Sequence, residues 1–126
     1  MSNVYLNEST KFEIEIIVAQ LNAKSVRVFI NDFLSHVGIC VIHGGVFPKI
    51  KINEEISRNN RLKVDYEPLA SDIMSIHRIS AVKHKTNYHN WIVSILGWLA
   101  EEHRVNGRVW FDDTPIGLLP IRKRKS

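Results

Sequence analysis

The chain is poor in the residues that staple, break or thread a protein. Among 126 residues there is one cysteine, Cys40, so no internal disulfide can form. A secreted, disulfide-stapled scaffold is thereby excluded. The lone thiol sits in the apolar run Ile39-Cys40-Val41-Ile42, which reads as a buried, inert position. His36 and His43, the nearest bases, are close to it in sequence only. No apolar run approaches roughly 18 residues, so no membrane-spanning helix is expected. The opening Met1-Ser2-Asn3-Val4 has no basic start leading into an apolar stretch, so no secretory leader is expected and the cytoplasm is the expected location. Internal repeats, low-complexity tracts and Pro/Gly-rich linkers are missing as well.

What is present is an ordinary globular composition, 44% hydrophobic and 24% charged. The length suits one compact unit, or two small subdomains over 1–60 and 61–126 that share a core. The net charge of +4 invites a nucleic-acid reading, but its placement changes the meaning. Residues 1–60 hold six basic and six acidic side chains, and residues 61–121 hold seven of each. The whole excess lies in Arg122, Lys123, Arg124 and Lys125, a basic tail on a balanced body.

Periodicity sets the elements. Residues 1–10 are polar and read as frayed or capping. Thr10 and Glu13 have capping-box spacing, which starts a helix near Lys11. Against it, Phe12 to Ile16 alternates with period two; helix is preferred over 11–21 because apolar residues continue through Leu21. Val26, Phe29, Ile30, Phe33, Leu34 and Val37 form one helical face over 24–37, with Gly38 as the stop. Residues 39–42 and 46–52 read as two strands joined at Gly44-Gly45, with Pro48 placing the second at an edge. Residues 53–60 read as a loop or a single helical turn, and Arg61–Tyr66 as a third strand ended by Glu67-Pro68. A helix follows over 69–82. After a polar break, with Thr86 or Asn87 as cap, comes a helix over 88–104 that is apolar around most of its girth and therefore central. Its polar positions Asn90, Ser94, Gly97 and Glu101 make one narrow stripe. Asn106-Gly107 is a turn signal, and 108–111 and 116–119 read as paired strands around Asp112-Asp113-Thr114-Pro115. The expected class is α+β, with helices packed on short antiparallel strands.

The stretch from Ile95 to Val105, followed by Arg108-Val109-Trp110-Phe111, resembles a winged helix-turn-helix over about 68–121. The resemblance implies that the helix at 88–104 occupies the recognition position, with Asn87, His89, Asn90 and Ser94 turned to a DNA groove and Lys83 and Lys85 on phosphates. The absence of Arg or Lys from Thr86 to His103 and the acidic wing tip count against strong DNA binding. Winged helices also serve as protein-interaction modules, for which neither feature is a problem.

No catalytic signature survives inspection. His43-Gly44-Gly45 resembles an esterase oxyanion stretch, but no G-x-S-x-G elbow accompanies it and a turn explains the glycines. The histidines His36, His43, His77, His84, His89 and His103 lack H-E-x-x-H spacing. A metal set of His77, His84 and His89 is outweighed by solvated polar positions, as are Asp65 and Glu67 as a paired-carboxylate site. Trp91, Trp98, Trp110 and Phe111 could stack bases, but their spacing suits a core. Trp110 and Phe111 are adjacent on a strand and point to opposite faces, which makes them a candidate partner surface. The expectation is a non-enzymatic accessory or regulatory protein that binds nucleic acid through this unit and the tail at 122–125. The alternative is a protein-interaction module, such as an inhibitor, adaptor or mobile-element accessory protein. No cofactor or metal is called for, no membrane is involved, and an edge strand at 46–52 would allow a homodimer.

Overall fold

The structure is a computed structural model that describes residues 2–44, 50–52 and 61–107. Among them are four helices and a two-stranded antiparallel sheet, an α+β fold as the patterning predicts. None of the helices is long and apolar enough to cross a membrane.

The first element corrects the frayed reading of residues 1–10. Ser2–Asn7 is a strand, β1, with Val4 and Leu6 buried on one face and Asn3 and Tyr5 exposed on the other. It pairs with β2, Arg61–Tyr66, in the register Ser2↔Tyr66 to Asn7↔Arg61. Val4 and Leu6 are too few to signal a strand alone; Val64 and Tyr66 opposite complete the buried face.

Helix α1 spans Glu8–Gln20 and settles the ambiguity over 11–21. Its cap is Asn7 rather than Thr10: the Asn7 side-chain oxygen accepts the Thr10 N–H at 2.8 Å. Thr10, Ile14 and Ile17 face the core at spacings of four and three, which leaves Phe12 in solvent.

Helix α2 spans Val26–Ile42, with Ser25 accepting the Val28 N–H as cap. The expected stop at Gly38 and strand at 39–42 are both overturned. Gly38 lies inside the helix because α3, Ser71–Lys83, passes close by: a Cβ at 38 would sit 3.0 Å from Ile73 Cγ2. The helix ends at His43 and at Gly44, whose φ of +92° suits glycine. Residues 50–52 are not in a strand, though Ile50 is buried; the rest of the expected hairpin lies outside the described residues.

The link from β2 to α3 is pinned on α2. Asn31 Nδ2 donates to the carbonyls of Glu67 and Pro68, each at 2.9 Å, and Arg27 faces Glu67 at 3.5 Å. Helix α4, Tyr88–Asn106, is central as expected and packs against α1, α3 and β1. Asn87 caps its start, accepting the Asn90 N–H at 2.7 Å, and Gly107 closes its end in the left-handed region.

Candidate functional site

Of the residues singled out on the sequence, Lys83, Lys85, Asn87, His89 and Asn90 lie where α3 turns into α4. The corner is built on a buried histidine. Trp91 Nε1–H, which can only donate, meets His77 Nδ1 at 3.1 Å. The His77 proton therefore sits on Nε2, which donates to the Leu34 carbonyl at 2.9 Å. One neutral imidazole thus ties α2, α3 and α4 together, and its burial holds the His77 pKa below the usual 6.5. The His84 ring lies 4.5 Å from the Trp91 indole, and its Nδ1–H donates to the Ser80 carbonyl at 2.8 Å. A second brace runs through Tyr66 and Tyr88, whose hydroxyls are hydrogen-bonded; burial raises the pKa of both. The Arg78 guanidinium sits over the Tyr88 ring, 5.6 Å from its centroid.

The outer face of this corner mixes apolar and cationic groups. Ser80 rather than Ile79 faces the core, so Ile79 is 52% exposed, and Val82, one turn on, is 74% exposed. Arg78, Lys83 and Lys85 are exposed around them. From Ile73 to Ala100 the chain has no Asp or Glu. The ion pairs found among the described residues join Lys11 to Glu15, Arg27 to Glu67, and Arg104 and His103 to acids elsewhere; none uses the three corner cations.

The expected groove-facing residues fare differently. Lys83 and Lys85 are exposed, and Lys85 takes a positive φ of 59° in the turn. The Asn87 side chain is occupied as the helix cap. His89 Nε2 accepts the Tyr5 N–H at 3.3 Å, and so braces β1. Asn90 is half-buried, and its carbonyl accepts the Ser94 hydroxyl at 2.7 Å. Ser94 is only 2% exposed, which corrects its expected position on an open face: β1 and α1 pack against α4 there. Trp110, Phe111 and the tail Arg122, Lys123, Arg124 and Lys125 lie outside the described residues, as do the strands expected at 108–111 and 116–119.

Among the described residues no group of three His, Cys, Asp or Glu side chains could hold a metal ion, and His77 has both nitrogens engaged within the core. Asp65 is exposed on β2, while Glu67 faces Arg27. Cys40 is buried and contacts His36 Nε2 at 3.6 Å, with both side chains sealed from solvent.

Sequence reasoning missed the opposite end of α4. There His103 Nδ1–H donates to Glu13 Oε2 at 2.6 Å, and His103 Nε2 lies 2.6 Å from Gln20 Oε1, which locks α1 onto α4. Arg104 pairs with Glu101 and lies 3.9 Å from Glu13. Beside this network is a cleft of about 390 Å³, bordered by Asn7, Ser9, Lys51, Gly97, Trp98 and Arg104. Its one sequence signal was the polar stripe of α4, three of whose members, Ser94, Gly97 and Glu101, line it.

The chain matches no protein family, no curated protein and no solved structure.

Proposed function

We propose that the chain is a non-enzymatic binding module that engages an acidic protein partner through the α3–α4 corner. The observation that carries this reading is the exposed pair Ile79 and Val82, ringed by Arg78, Lys83 and Lys85 in a stretch without carboxylates. Two β-branched side chains held in water on one helix face gain free energy when a partner covers them. Cations around an apolar centre match an acidic rim and steer the encounter. The Tyr88 ring under Arg78 and the neutral His77 behind α3 hold the face in shape before binding, which lowers the ordering cost.

Nucleic acid is the second reading, favoured by Lys83 at the end of α3, by Lys85 in the turn before α4 and by the basic tail at 122–125. In that reading the corner contacts phosphates, because Trp91 to Leu96 face inward and offer few groups to base edges.

Two surface variants separate the readings. Val82→Asp removes the apolar centre, and the pair Lys83→Glu with Lys85→Glu reverses the charge. For a protein partner, both reduce capture from extracts of the source cells by at least about tenfold. For nucleic acid, only the charge reversal abolishes an electrophoretic shift with duplex DNA at low salt, and Val82→Asp leaves it intact. Capture and shift unchanged in both variants would remove the corner as a binding surface.

A further inference from the structure

We propose that the cleft between the start of α1 and the polar stripe of α4 binds a small anion with a flat apolar body, of the aryl phosphate or aryl carboxylate class. This site is separate from the α3–α4 corner and independent of it.

Gly97 lies in the interior of α4. Glycine inside a helix costs about 1 kcal/mol relative to alanine, so its place asks for a reason. Gly38 has one, since Ile73 occupies the space a Cβ would need. At Gly97 a Cβ would meet nothing within 4 Å among the described residues, and the position lines the cleft. The missing side chain therefore widens the cleft above the helix backbone, and no described residue packs into the space it leaves.

The walls define what fits. Trp98, half-buried, gives the cleft an aromatic flank, which suits a flat apolar body. Among the described residues of the lining the charged groups are Lys51, Arg104 and Glu101. Arg104 and Glu101 pair with each other, so the positive charge left over is that of Lys51, which takes part in no ion pair found among the described residues. A single anionic group complements it. About 390 Å³ lies near the lower end of the range for small-molecule sites and holds one ring with its acid group.

The test is an amide NMR titration of the full chain with phenyl phosphate, benzoate, inorganic phosphate and phenol. Phenyl phosphate or benzoate should shift the amides of Lys51, Gly97 and Trp98 saturably below about 10 mM, at least about tenfold more tightly than inorganic phosphate or phenol. The stronger of the two acids identifies the anionic group. Lys51→Gln should weaken that ligand several-fold. Gly97→Leu should abolish binding by filling the cleft while leaving the melting temperature unchanged or raised, because leucine is the better helix former. No saturable shift with either acid, or shifts that persist in Gly97→Leu, would overturn the proposal.

Discussion

At the scale of single residues, His77 shows how a side chain associated with reactivity becomes a structural tie. It is fully buried, yet both ring nitrogens are used, one accepting from Trp91 and one donating to Leu34. A buried polar group satisfied in this way does not destabilise the core, but removing it strands its partners. His77→Leu should lower the unfolding free energy by about 1–3 kcal/mol in urea titrations, because the Trp91 N–H loses its acceptor. Burial lowers the folded-state pKa, so just below pH 6.5 the unfolded chain binds the extra proton and the folded chain does not. The His77 contribution is therefore complete above pH 6.5 and is lost as the pH falls through its folded-state value. Wild type should lose stability on acidification more steeply than His77→Leu; equal slopes would show that His77 is not the buried neutral group.

At the scale of elements, two glycines in two helices have opposite meanings. Gly38 lets α3 approach α2, whereas at Gly97 a Cβ would meet nothing within 4 Å among the described residues. Gly38→Val should therefore cost about 1–3 kcal/mol through overpacking against Ile73. Gly97→Ala should gain about 0.5–1 kcal/mol from helix propensity alone. Thermal or urea unfolding of the two variants checks both, and a stabilising Gly38→Val would contradict the close packing of α2 on α3. Sequence read both residues less well than their neighbours. Gly38 looked like a stop because glycine usually follows a helix, and Ile39 to Ile42 looked like a strand because a short apolar run fits either element. The Asn87 cap and the apolar girth of α4 were legible, since each depends on residues within one or two turns.

At the scale of the molecule, β1 on β2 closes the fold. Residues 2–7 are held by a partner strand that begins at Arg61, by α1 and by the His89 brace from α4. Leu6→Ala should accordingly cost about 2–5 kcal/mol, as for a core leucine, although it lies five residues from Met1. A cost near zero in denaturant unfolding would mean that the strand does not pair. Both ends of α4 are tied to the opening of the chain, through His89 to Tyr5 and through His103 to Glu13 and Gln20. The corner and the cleft therefore sit at separate places on one shared central helix.

The sequence by itself determined what short-range periodicity and charge placement can carry. That includes the α+β class, the faces of α2 and α4, the strand Arg61–Tyr66, the neutral body with its basic tail, and the carboxylate-free stretch that makes the corner cationic. Only tertiary structure decided which of those faces remain open. Ser94 was turned inward, Ile79 was left in solvent, β1 was drawn from a polar start, and Gly97, Trp98 and Lys51 were brought to one cleft. The physical reason is that burial depends on a partner far along the chain. The strand opposite β1, the helix against Gly38 and the residue beside Lys51 are all remote in sequence, and a local pattern cannot encode which surface will arrive to cover it.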